Sequence, residues 1–276
     1  MSTLNDILNK IKKSVINPNE NSFHNYPFGK KPSADRKTYL SIWEVAKSKE
    51  YLVVDDFEKE TGFSIEKEWF NKLALITQVV KKKSEICYQH GRLLYSVLSQ
   101  NFQNHRSNSI NILESGTARG FSALCMAKAL EDNNQSGKIV TIDPLPNNVS
   151  MFWNCISDLD GEKSRAKLLE KYSKLIEKYI WFIEGKSDQI LNRLELNRVH
   201  FGFLDGSHNY DDVNFEIKYL IPRQKKGDMI FFDDFHETLY PGIVKAVKEL
   251  ESSGKYRLKI IRVNAQRSYA IGEKQI

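Results

Sequence analysis

Apolar positions along this chain change period partway through, and the change divides it. In the first part they recur at helical spacing: Leu4, Ile7, Leu8, Ile11 and Val15 share one face and predict a short amphipathic helix ending before Pro18. Asp35 can cap a helix carrying Tyr39, Leu40, Trp43 and Ala46, and Ser64 can cap another carrying Phe70, Leu73, Leu75, Ile76 and Val80. A third helix is expected to start at Ser84 and to carry Cys87, Leu93, Leu94, Val97, Leu98 and Phe102. Between the first two predicted helices lies the aromatic, breaker-rich run FHNYPFG, residues 23–29. It reads as an ordered loop packed on the body of the protein, either covering core or serving as a substrate lid.

From residue 110 onward, short apolar runs of strand type alternate with helical segments. Strands are expected at residues 110–114, 139–142, 180–183, 199–204 and 229–232, and this alternation predicts a parallel sheet with helices on both faces. The end differs. Residues 256–263 and 268–271 are strand-like runs separated by four residues, too few for a crossover helix, so they pair as a hairpin and add one antiparallel strand. The expected fold class is therefore α/β, a doubly wound seven-stranded sheet, mostly parallel, behind a helical N-terminal extension. Residues 1–105 form that extension and residues 106–276 the sheet unit. The connection 144–179 is far longer than an ordinary α/β loop and is a place for substrate contacts.

Composition changes this picture only by exclusion. No apolar run is long enough to span a bilayer, and the N-terminal apolar residues are interrupted by Asn5, Asp6 and Lys10 where a signal peptide would be continuous. A cytoplasmic protein without a membrane partner is expected. The cysteines, Cys87, Cys125 and Cys155, form no CxxC pair and read as buried thiols. A net charge of +6 is spread along the chain and gives no basic stripe, so no nucleic-acid partner is expected.

The chemistry gathers at strand ends. ESGTARG, residues 114–120, joins the first strand to a helix but lacks the middle glycine with which GxGxxG admits a pyrophosphate. Gly116 lets the backbone approach a ligand, and Ser122 can meet a carboxylate near the positive end of the helix. Asp143 ends the second strand 29 residues after Glu114, where an acid can accept two ribose hydroxyls. Ser187 and Asp188 follow the third strand, where they can bond a base edge, or Ser187 can cap a helix over 189–194. The runs FLDGSHNY and FFDDF end in Asp205 and in Asp233 with Asp234. In a doubly wound sheet these ends converge beside the glycine turn, and three carboxylates together suit a hard divalent cation unless each merely caps a helix. His208, with His236 as competitor, is placed to act as general base. Tyr210, Trp153 and Phe235 can wall the pocket or fill the core.

With these motifs assembled, residues 110–274 resemble the class I S-adenosylmethionine-dependent methyltransferases, which have a Rossmann-like sheet. DGSHNY with FFDDF is similar, more narrowly, to the metal-dependent O-methyltransferases of catechol and macrolide-sugar type. The resemblance implies that Glu114, Gly116, Thr117, Gly120, Ser122, Asp143, Ser187, Asp188 and Asp205 hold S-adenosylmethionine. Ser122 would meet the methionine carboxylate, Asp143 the ribose, and Ser187 with Asp188 the adenine. Asp205, Asp233 and Asp234 would hold the cation, expected to be magnesium, and His208 stands where the catechol enzymes have a lysine. The expected activity is methyl transfer to a hydroxyl of a small molecule, of sugar or glycoside type. A metal-independent N-methyltransferase and a noncatalytic cofactor-binding module are the alternatives, and a homo-oligomer stays open.

Overall fold

The computed structural model of the chain describes residues 26–104 and 109–276. The helix expected over residues 1–20 lies outside them. Helix α1 (Arg36–Ser48) starts where anticipated, with the Asp35 carboxylate accepting the Thr38 amide at 2.8 Å. α2 (Leu52–Thr61) was not anticipated: Leu52 and Val53 are exposed while Val54, Phe57 and Thr61 are buried, so the sequence pattern blurs the helical face. α3 (Lys67–Thr77) is capped by Glu66 rather than Ser64, because the longer carboxylate reaches two amides, those of Glu68 and Trp69. α4 (His90–Asn104) starts six residues after Ser84, since Ile86, Cys87, Tyr88 and Gln89 are buried one after another, which an amphipathic helix does not allow.

The sheet follows: β1 (Ile110–Ser115), α5 (Phe121–Asp132), β2 (Gly137–Asp143), α6 (Arg165–Leu168), α7 (Ser173–Tyr179), β3 (Ile180–Glu184), α8 (Ser187–Leu191), β4 (Phe201–Leu204), α9 (Tyr210–Leu220), β5 (Met229–Phe232), α10 (Pro241–Ser252), β6 (Tyr256–Asn264) and β7 (Arg267–Lys274). Its seven strands run β3-β2-β1-β4-β5-β7-β6. Strands β1 to β5 are mutually parallel, and β7 is antiparallel to both β5 and β6, as the short hairpin connection requires. The order reverses between β1 and β4, so the carboxyl ends of β2, β1, β4 and β5 border one crevice.

Successive side chains of the buried strands alternate between the two faces of the sheet and fill two cores. Ile112, Phe203 and Phe231 face the layer of α2 to α5, whereas Leu113, Leu204 and Phe232 face α9 and α10. Each fully buried side chain of this size contributes roughly 1.5–3 kcal/mol. α4 packs along α5, and Lys259 of β6 reaches Glu60 of α2 at 2.8 Å, so the N-terminal helices share the core on one face of the sheet. The long connection after β2 holds a 3-10 turn, Ile156–Asp160, and buries Trp153, whose indole N–H donates to the Lys163 carbonyl at 2.7 Å. Trp153 and Phe235 belong to the core, while the Tyr210 hydroxyl donates to Glu249 at 2.6 Å. All three cysteines are buried free thiols. Among the described residues, no helix is long and apolar enough to cross a membrane.

Candidate active site

A cleft of about 490 Å³ opens at the carboxyl ends of the strands, within the range of small-ligand pockets. Gly116, Asp143, Ser187 and Asp188, four of the residues expected to hold a cofactor, line it together with Phe28, Ser115, Leu145, Gly206 and Asp212. Both oxygens of Asp143 accept backbone amides, from Ala118 and Leu145, each at 2.7 Å, which fixes the carboxylate at the cleft wall. Asp188 sits in the first turn of α8, where its Oδ1 accepts the Gln189 amide at 2.8 Å. That helix spans Ser187–Leu191 with Lys186 at the cap position, so Ser187 is not its N-cap.

The rest of the glycine turn supports the cleft from below. Glu114 is fully buried and accepts the Ser122 and Thr141 hydroxyls, and the Thr117 hydroxyl in turn donates to that of Thr141. Ser122 is thus directed at Glu114, where the sequence suggested an open hydroxyl facing a ligand carboxylate. Gly120 has φ +84°, and a Cβ there would meet Leu169 at 2.8 Å, so this glycine serves the packing of the long connection. Gly116 has φ +92°, and a Cβ would stand 2.3 Å from the Asp205 carbonyl oxygen. Its missing side chain lets β1 and the Asp205 loop meet.

That contact joins the cleft to a second feature. Oxygens of Asp205, Asp233 and Asp234 lie within 4.8 Å of one another. β4 and β5 are neighbours with Leu204 opposite Phe232, which sets the two acidic ends side by side. The Asp234 amide donates to Asp233 Oδ1 at 2.6 Å, and Asp234 takes φ +53° to turn its carboxylate back. His208 Nε2 is 3.1 Å from Asp234 Oδ2, with the Tyr240 ring 4.3 Å from the imidazole. His236 is otherwise engaged: its Nε2 bonds the Ala265 carbonyl at 3.0 Å and its Nδ1 accepts the Thr238 and Leu239 amides. Arg267, which no sequence motif singled out, reaches across from β7, its Nη1 3.3 Å from Asp233 Oδ1 and paired with Asp234 Oδ1.

Crowded acids perturb one another here. Burial, then repulsion from Asp233 and Asp234, raises Asp205 well above the usual carboxylate range. Burial and the Asp234 charge push Asp233 up to about 6. Burial opposes ionisation of Asp234 too, yet the hydrogen bond from His208 and the charge of Arg267 hold it low. The same hydrogen bond raises His208. Three carboxylates against one guanidinium form an oxygen-only donor set short of positive charge, and such a set fits a hard divalent cation.

Two buried glutamates give the fold a pH dependence. Burial pushes Glu114 and Glu216 up to about 7 from an ordinary value of 4.5. Between those values the folded chain keeps protons that the unfolded chain has lost, so stability is greatest on the acid side and falls as pH rises through about 7. The loss is on the order of 3 kcal/mol per group. Chemical denaturation at about pH 5 and about pH 8 should show lower stability at the higher pH, and Glu114→Gln should flatten the slope. A slope untouched by that substitution would exclude Glu114 as its source.

The cleft lies at the switch point of the sheet, where open α/β folds bind their ligands. Residues 113–235, somewhat under half of the chain, match the model of a family described as a methyltransferase domain. The solved O-methyltransferase NovP is 13% identical at a TM-score of 0.53, the match covering 71% of this chain and 84% of that one. TomG from Streptomyces achromogenes, an O-methyltransferase of tomaymycin synthesis solved with S-adenosylmethionine, is 17% identical at a TM-score of 0.51 over 78% of this chain and 92% of its own. An O-methyltransferase from Bacillus cereus solved with S-adenosylhomocysteine is 13% identical at a TM-score of 0.50, covering 82% and 92%. At these identities the likeness is one of fold. No curated protein sequence matches the chain.

Proposed function

We propose that this chain transfers the methyl group of S-adenosylmethionine to a hydroxyl of a small molecule, with a divalent cation held by Asp205, Asp233 and Asp234. The observation that carries the reading is the contact of Gly116 with the Asp205 backbone, which sets the cleft directly against the carboxylate cluster. On this reading Asp143 accepts ribose hydroxyls and Ser187 with Asp188 meets the adenine edge, and all three line the cleft. The sulfonium methyl is already activated, so the protein must align an acceptor oxygen with it and remove that oxygen's proton. A cation such as magnesium, when bound, supplies acidity to a chelated hydroxyl and fixes its position. Asp234 holds His208 through Nε2, which leaves Nδ1 to take the proton while the oxygen forms its bond to carbon and the C–S bond breaks, leaving S-adenosylhomocysteine. Residues 1–105 act on this reading as a cover for a transferase unit of residues 106–276, since Phe28 lines the cleft, and Ser84, Glu85 and Cys87 border a small cavity at Asp234 and Tyr240.

Calorimetry should show S-adenosylmethionine binding, and turnover with hydroxylated small molecules should be lost in excess chelator and return with magnesium. No binding at millimolar ligand would end the reading. One observation favours a second: Arg267 hydrogen-bonds Asp233 and Asp234, a cation already built into the chain. Turnover unchanged by chelator would select this metal-free transferase, with the His208–Asp234 pair alone serving the acceptor.

A further inference from the structure

Glu216 projects from α9, the helix that follows the Asp205 loop, and is only 1% exposed. Its Oε2 accepts the Ser115 hydroxyl at 3.0 Å, whereas Oε1 is buried with no hydrogen-bond partner. Ser115 lines the cleft. Ser115 also closes β1 next to Gly116, its carbonyl accepts the Asp205 amide at 3.0 Å, and its side chain is what a Cβ on Gly206 would meet at 3.2 Å. A single buried carboxyl on α9 therefore sits beneath the junction of two loops that bound the cleft, those after β1 and β4. A buried acid with an unpartnered oxygen is costly, and an apolar side chain of similar volume would serve the fold at least as well. Stability does not explain this residue.

We propose that Glu216 is a positioning residue for the cofactor: it holds the Ser115 hydroxyl in the wall of the cleft, so that the wall meets the nucleoside in one fixed shape. The inference rests on the reading of this cleft as the S-adenosylmethionine site. Glu216 touches no reacting atom. It acts through Ser115, and its loss should appear in cofactor affinity and the KM for S-adenosylmethionine, with kcat at saturating cofactor close to wild type.

The test is calorimetric titration of the full chain with S-adenosylhomocysteine, paired with thermal denaturation. Glu216→Leu is expected to weaken binding by about tenfold or more while its Tm stays at or above that of the wild type. Glu216→Gln, which keeps the volume and can still accept from Ser115, is expected to stay within about threefold. A merely structural role would instead lower Tm, affinity and kcat together, and that pattern overturns the assignment. So does an unchanged Kd in Glu216→Leu. Should that variant fail to fold, Ser115→Ala removes the hydroxyl that Glu216 holds and must show the same loss, an unchanged Kd there being equally fatal. A wild-type chain that does not bind the ligand removes the functional reading and this inference with it; a wild type that binds isolates the inference.

Discussion

Asp205→Ala is expected to lower kcat/KM by about a thousandfold while leaving the folded state no less stable than the wild type. The two effects have one cause. Asp205 is held well above the usual carboxylate range by burial and by the charges of Asp233 and Asp234, so removing it relieves a strain that the fold otherwise bears. Removal also opens the donor set, leaving Asp233 and Asp234 to Arg267. Cofactor affinity should change little, because the cleft is lined by Gly206 and Gly116 rather than by the Asp205 side chain. Steady-state kinetics at saturating S-adenosylmethionine, with thermal denaturation of the same sample, checks both halves. Activity within a few-fold of wild type would show that the acceptor is handled elsewhere. A large fall in Tm would show that the cluster stabilises the fold after all.

That cluster was legible in the sequence because it is made by strand ends. FLDG and FFDD each finish an apolar strand in carboxylate, and parallel strands β4 and β5 are neighbours, so register alone brings Asp205 to Asp233. The sheet itself was readable for the same reason, since Ile112 and Leu113, or Phe231 and Phe232, divide between two cores as alternation demands. Arg267 was not legible. It starts a strand remote in sequence, and only the insertion of β7 between β5 and β6 carries its guanidinium to the acids. Nor was Glu216, whose neighbours on α9 read as an ordinary amphipathic face; a carboxyl at a core-facing helical position is the one signal the sequence offered. Ser122 shows the opposite failure. Its place in the first turn of α5 suits a ligand carboxylate, but the buried Glu114 lies nearer and takes the hydroxyl. Two of the N-terminal helices were misplaced at their starts because caps compete locally, Glu66 with Ser64, and because the buried run 86–89 reads as helix yet precedes the helix that forms.

Gly116→Ala is expected to destabilise the protein by about 3 kcal/mol or more, from two separable terms. The first is conformational: at φ +92° an L side chain is strained, at about 1–2 kcal/mol. The second is a collision, because the added Cβ would stand 2.3 Å from the Asp205 carbonyl oxygen and 2.6 Å from its carbon. Neither partner yields cheaply, since Gly116 bonds the Ile142 carbonyl at 2.9 Å and the Asp205 amide bonds Ser115 at 3.0 Å. Gly62→Ala separates the terms. Gly62 caps α2 at φ +80° with nothing within 4 Å of an added Cβ, so it bears the conformational cost alone. For a chain of this size roughly 2–4 °C of Tm accompanies each kcal/mol, which predicts a drop of roughly 6–12 °C for Gly116→Ala and a few degrees for Gly62→Ala. Equal drops would mean that β1 and the Asp205 loop can part without loss, and that the cleft and the carboxylates are not rigidly joined. If they are joined, the surviving folded fraction of Gly116→Ala should also lose turnover, because the acceptor oxygen and the sulfonium methyl are aligned only as well as these two backbones are held together.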